Sequence, residues 1–201
     1  MKRERPLECS LFVVNGRYKG RRLTGVERYA HEITKRFHTT PEVIAPSKPL
    51  KGLAGHLWEQ AVLPVKLNGQ LLWSPCNTGP LAVKNQIVTI HDVIALDRPE
   101  WFNPNFVRLY RELLPRLVSQ ARHILTVSNY SKQRVMERFR VNPEKITVTA
   151  EGVGEEFNPR PNAKWRQCEQ HMAFRTNVIC LCWPHGNLER ITSVFSRPGK
   201  S

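Results

Sequence analysis

Gln86-Ile-Val-Thr-Ile-His91-Asp92-Val93 is an apolar, β-branched run that stops at a titratable pair. Short runs of this composition are typical of a strand buried on both faces of a parallel sheet. In open α/β sheets, ligands bind beyond the carboxyl ends of the strands. His91 and Asp92 therefore stand where a substrate would sit.

Working outward, the same short strand recurs. Leu11-Phe-Val-Val14, Val43-Ile-Ala45, Leu71-Leu-Trp73, Ile124-Leu-Thr-Val127 and Ile146-Thr-Val-Thr149 all read as strands. Between them lie helical patterns. Thr24 and Glu27 have capping-box spacing, and Val26, Tyr29, Ala30, Ile33 and Phe37 form one apolar helical face. Residues 56–66 and about 105–121 read as helices, the latter on Phe106, Leu109, Leu113, Leu117 and Val118. A further helix, capped by Ser128, runs to about Phe139. Residues 46–55 and the Pro99–Pro104 stretch read as loops. Strands alternating with helices predict an α/β fold: one Rossmann-like, doubly wound parallel sheet with right-handed crossovers. From about Pro161 the periodicity ends, so residues 161–201 read as an irregular tail to a domain spanning 7–160.

Composition bounds the partners. The 201 residues carry 40% hydrophobic and 24% charged side chains, a globular balance. The net charge of +14 and pI near 10.1 favour anionic ligands or acidic headgroups. Its basic residues are dispersed, with Arg17, Lys19, Arg21 and Arg22 the densest group, so nucleic acid is not the expected partner. Five cysteines and a charged start without a secretory segment point to the cytoplasm. No apolar stretch reaches the roughly 20 residues of a membrane span, so any membrane contact is peripheral.

Six motifs in order carry a family resemblance. They are Arg22-Leu-Thr-Gly25-Val-Glu-Arg-Tyr29-Ala; His56-Leu-Trp-Glu-Gln60 with Leu63-Pro64; Leu72-Trp-Ser-Pro-Cys-Asn77; Thr89-Ile-His91-Asp92-Val93; Thr126-Val-Ser128 with Ser131-Lys132; and Glu151-Gly152-Val153 with Phe157-Asn-Pro159. Together they resemble the N-terminal domain of family 4 (group 1) glycosyltransferases of the GT-B fold. The resemblance implies transfer of a sugar from a sugar nucleotide, GDP-mannose being the first guess, to a lipid-linked or polysaccharide acceptor. It implies retention of configuration, no bound metal, and no cofactor beyond the donor substrate. The family's second, donor-holding domain has no counterpart in the residues after Pro161. The tail is expected to be a frameshifted start of that domain, which translation of the other reading frames tests. The chain is accordingly expected to be inactive alone. The alternative is a non-catalytic glycan- or lipid-binding module, or a half-enzyme pairing with a separate donor-domain chain.

The resemblance places His91 beside the transferred sugar, with Asp92 orienting its ring or holding an acceptor hydroxyl. It places Gly25, at a helix start, against the donor diphosphate. Arg22, Ser128 and Lys132 are candidate donor contacts, and Asn77, Thr78 and Trp101 candidate acceptor contacts. Each has a plainer reading: Ser128 as an N-cap, Lys132 and the loop arginines as solvated charges, Trp101 as a cover for the core. Cys168, His171, Cys180, Cys182 and His185 hold enough zinc-type ligands for one site, but Cys180 and Cys182 are one residue apart, unlike a common finger. No metal site is expected.

Overall fold

The computed structural model describes residues 12–37 and 39–152. Six parallel strands form one sheet in the order β2-β1-β3-β4-β5-β6. They are β1 (Val13–Asn15), β2 (Glu42–Ile44), β3 (Leu72–Ser74), β4 (Gln86–Ile90), β5 (His123–Thr126) and β6 (Ile146–Val148). Register runs straight across the centre, Ile87 pairing with Trp73 on one side and with His123 on the other. The helices are α1 (Gly25–Arg36), α2 (Gly52–Leu57), α3 (Ile94–Asp97), α4 (Pro104–Gln120) and α5 (Asn129–Phe139).

Alternation along the strands divides the core in two. Val14, Trp73, Ile87 and Leu125 pack on one face against Tyr29, Ala30 and Ile33 of α1 and Phe37 just after it. Val88, Ile90, Ile124 and Ile146 point to the other face, toward α4 and α5. Val13 and Leu72 extend that second face under Trp58 and Leu63. Both faces are covered, so all five residues of β4 are buried, as the continuous apolar run required.

Two stretches read as loops contain helix. α2 begins at Gly52 and continues as a π-helical turn (Trp58–Val62) and a 3-10 turn (Pro64–Lys66). Of the two glycines that suggested a loop, Gly52 has a left-handed φ of 51°, and Gly55 has a packing role: a Cβ there would lie 3.2 Å from the Leu50 carbonyl oxygen and 3.4 Å from Arg17 Nη1. After β4, the Asp92 carboxylate accepts from the Ile94 N–H at 3.1 Å and starts α3, which a 3-10 turn at Pro99–Trp101 follows. The tail from Val153 onward, with the cysteine and histidine set at 168–185, lies outside the described residues.

Candidate active site at the carboxyl edge of the sheet

The strand order reverses between β1 and β3, the point where open α/β sheets leave a crevice at their carboxyl ends. Asn15 ends β1 and Ser74 ends β3, and Asn15 Nδ2 donates to Ser74 Oγ at 3.3 Å across that point. Beneath the crevice lies a sealed polar cluster. Glu59 Oε1 accepts from Asn15 Nδ2 at 2.7 Å, from Arg17 Nε at 3.1 Å and from Thr78 Oγ1 at 3.1 Å. Arg17 Nη2 also donates to Thr78 Oγ1 at 2.6 Å. Arg17, Glu59 and Thr78 are all buried. The other Glu59 oxygen lies 3.7 Å from His56 Nδ1. Burial alone would push the Glu59 carboxyl up, but His56, Arg17 and Asn15 more than offset that and hold it below the usual range.

The second group is built on the tip of β4. His91 is 7% exposed, and each polar group of the residue is engaged. Its backbone N–H donates to Asn77 Oδ1 at 2.7 Å, and its carbonyl accepts from Ser131 Oγ at 2.7 Å. The Nε2 atom lies 3.0 Å from the Pro75 carbonyl oxygen, which can only accept, so Nε2 carries a proton. Nδ1 faces Glu151 Oε1 at 3.1 Å, a contact that needs a proton between the two groups. The edge of the ring meets Tyr29 of α1, centroids 4.7 Å apart at 87°.

The first turn of α1 thus reaches the same edge as the imidazole. Val26 accepts a long contact from Cys76 Sγ, and Tyr29, one turn into the helix, touches His91 itself. At the helix start, Glu27 accepts from the Thr24 N–H at 3.3 Å, the backward arm of the capping box, and from the Thr24 hydroxyl. A Cβ on Gly25 would meet nothing within 4 Å, so packing among the described residues does not require glycine there. Cys76 is no candidate nucleophile: burial, then the Glu27 charge, pushes its thiol well up.

The other candidates divide. Asn77 adopts a left-handed conformation, φ 59°, fastened by its N–H to the Thr89 carbonyl at 3.0 Å. Thr78 is sealed in the Glu59 cluster rather than facing open space. Ser128 caps α5 by accepting from the Ser131 N–H at 3.0 Å. Lys132 donates to the Ile146 carbonyl of β6 at 2.8 Å, which turns its ammonium to the sheet edge. Asp92 is exposed and serves the α3 turn; the carboxylate on the His91 ring is Glu151. Trp101 is 65% exposed, with the Arg98 guanidinium 5.8 Å from its ring centroid. Arg22 is exposed, whereas Arg17 is neither solvated nor free to meet a phosphate. Two grooves of about 300 and 520 Å³ run along α4, and neither is lined by His91.

Sequence reasoning missed two carboxylates as site residues. Glu59 had a readable signal: it is the single acidic residue between Glu42 and Asp92. Glu151 stands in the last of the six motifs with no site role attached, and its approach to His91 spans 60 residues, which no local pattern encodes.

The comparison with protein families speaks to this edge directly. Residues 68–157 match the model of Glycosyltransferase Family 4. That family 4 segment begins just before β3, contains Asn77, His91 and Glu151, and covers a little under half of the chain. A curated relative is the O-antigen chain mannosyltransferase RfbU of Salmonella typhimurium (strain LT2), 28% identical over 123 residues. The match takes in 60% of this chain and 31% of the relative, so the chain spans about a third of that protein's length. No solved structure matches the chain. The resemblance read from the motifs is borne out over the family 4 segment.

Proposed function

We propose that the chain takes part in glycosyl transfer from a sugar nucleotide to a hydroxyl of a lipid-linked or polysaccharide acceptor, as in O-antigen or exopolysaccharide assembly. The observation that carries this reading is the placement of His91. Inside a family 4 segment, an imidazole sits at the tip of the central strand, against the first turns of the helix that follows β1. A mannose nucleotide is the proposed donor, in keeping with the name of the Salmonella relative.

In this reading, residues 7–160 form the acceptor-side domain and supply one wall of the reaction cleft. The helix start at Gly25 offers N–H groups to the donor diphosphate. His91 presents its imidazole at the acceptor side, and Glu151 holds the Nδ1 edge of the ring. The donor-holding wall comes from a second domain, so this domain by itself is expected to turn over little substrate. Catalysis by preorganised charges requires the cleft to be closed against water.

A second reading has one specific observation in its favour. Both His91 ring nitrogens are already spoken for, by Pro75 and Glu151. An imidazole held this way suits a module that binds glycan or lipid without chemistry, or one that pairs with a separate donor-domain chain. Transfer of labelled mannose from GDP-mannose to membrane-extracted acceptor lipids, with the donor-domain half supplied, separates the two. Turnover lost in His91→Ala supports transfer. Acceptor binding without turnover, unchanged in that variant, removes the enzymatic reading.

A further inference from the structure

We propose that the outer face of the segment Leu53–Val65 is a docking surface for an anionic lipid bilayer. Leu53, Leu57, Val62 and Val65 are 69%, 59%, 40% and 82% exposed. Single exposed apolar residues are ordinary, but these four fall within one short helical segment. Leu53 to Leu57 is one turn of α2. Leu57 to Val62 is five residues through the π-helical turn, whose Leu63 N–H reaches the Trp58 carbonyl at 3.0 Å. Val62 to Val65 is three residues into the 3-10 turn. Each step spans the hydrogen-bonding interval of the helix type it crosses, and all four side chains are exposed while the backbone changes period. The opposite side, Trp58, Glu59 and Leu63, is buried.

Charge decides what this surface fits. Residues 43–91 contain four lysines, Lys48, Lys51, Lys66 and Lys84, all exposed. They contain one acid, Glu59, and it is buried under Arg17. An apolar surface in a stretch whose exposed charges are all lysines matches a layer of acyl chains beneath acidic headgroups. A second copy of the chain is a poor match, because the two faces would bring like charges together on proteins of net charge +14. Among the described residues no helix is long and apolar enough to cross a membrane, so the contact is lateral. The inner side of the same segment holds Asn15, Arg17 and Thr78 through Glu59, so a docked bilayer lies one helix thickness from the switch-point crevice.

The inference does not depend on sugar transfer, and its test does not read turnover. The full chain is sedimented with vesicles of equimolar phosphatidylglycerol and phosphatidylcholine, and with phosphatidylcholine alone. Binding to the anionic vesicles is expected, falling at least about tenfold in Leu53→Ser/Leu57→Ser and in Lys51→Glu/Lys66→Glu, and falling with added salt. All four positions are exposed, so circular dichroism and the urea midpoint of each variant should equal those of the parent chain. Absence of binding to anionic vesicles overturns the inference, as does equal binding by parent and leucine variant. A leucine variant that binds vesicles normally but loses self-association by light scattering assigns the face to a second copy instead.

Discussion

The two polar groups at the carboxyl edge differ in what surrounds their carboxylates. At the switch point, Glu59 is 1% exposed and meets Arg17, Asn15 and Thr78, all from inside the fold. At the tip of β4, His91 is nearly as buried, but its carboxylate partner Glu151 is 49% exposed and stands at the end of the described chain. The first group is closed and satisfied on Oε1; it fixes the loop after β1 to the π-helical turn that follows α2. The second is closed on the side of Pro75 and Tyr29 and open on the side of Glu151. A buried charge held by buried partners fixes architecture, whereas a buried ring with an exposed partner can exchange that partner for a ligand.

Breaking the closed group should have the larger effect. Glu59→Ala leaves the Arg17 guanidinium buried without its ion, and stability to urea should fall by about 3–5 kcal/mol. Arg17→Met with Glu59→Leu should recover at least half of that loss, because removing both charges costs less than stranding one. If the double variant is no more stable than the single one, the cluster is not acting as an ion pair. The same group predicts a pH limb. The folded Glu59 carboxyl is held below its ordinary value, so its contribution is complete above about pH 4.5 and is lost as pH falls through the lower folded value. Glu59→Gln should flatten that limb of the urea-midpoint profile.

The open group should respond less. His91→Ala removes the Pro75 contact and the edge-on Tyr29 contact, for about 2–3 kcal/mol in the same measurement. Asn77→Ala loses the acceptor for the His91 N–H and puts a Cβ branch without a local hydrogen bond at φ 59°, for about 2 kcal/mol. Asn77→Gly should cost about half as much, since glycine tolerates that backbone. Glu151→Gln sits at the bottom of the scale, within about 0.5 kcal/mol, because the exposed Glu151 carboxylate is screened by solvent. A Glu151→Gln loss as large as that of Glu59→Ala would mean that the two groups do not differ in kind.

Much of the fold was legible. In the run at 86–90 the apolar residues Ile87, Val88 and Ile90 fall on both faces of a two-residue period, so it reads as a central strand with helices on both sides. The apolar face of the first helix was equally plain: Tyr29, Ala30, Ile33 and Phe37 are buried, and Val26 in its first turn is half-buried. The reading of α4 was coarser. Leu113, Leu117 and Val118 are buried as expected, but Phe106 and Leu109 are only half-buried, and Val107, Tyr110 and Leu114 complete the core face. The 46–55 loop failed for a local reason: its prolines and glycines signal turns, and only the approach of Arg17 shows why a helix needs Gly55. Among site residues, the Ser128 cap was readable from its place before a helical pattern. Lys132 and Thr78 were not, since their partners Ile146 and Glu59 lie elsewhere in the chain.

Periodicity and β-branching determined the parallel α/β architecture from the chain alone, along with the order of its elements and the location of His91 at a strand tip. These are properties of neighbours in sequence, where a side chain's direction follows from the period of its own backbone. Tertiary structure decided which charges are sealed and which are open. It buried Arg17 under Glu59, took the ring of His91 from Asp92 and gave it to Glu151, and left Leu53, Leu57, Val62 and Val65 uncovered. A charged group's behaviour is set by the dielectric and the partners around it, and those arrive from segments tens of residues away.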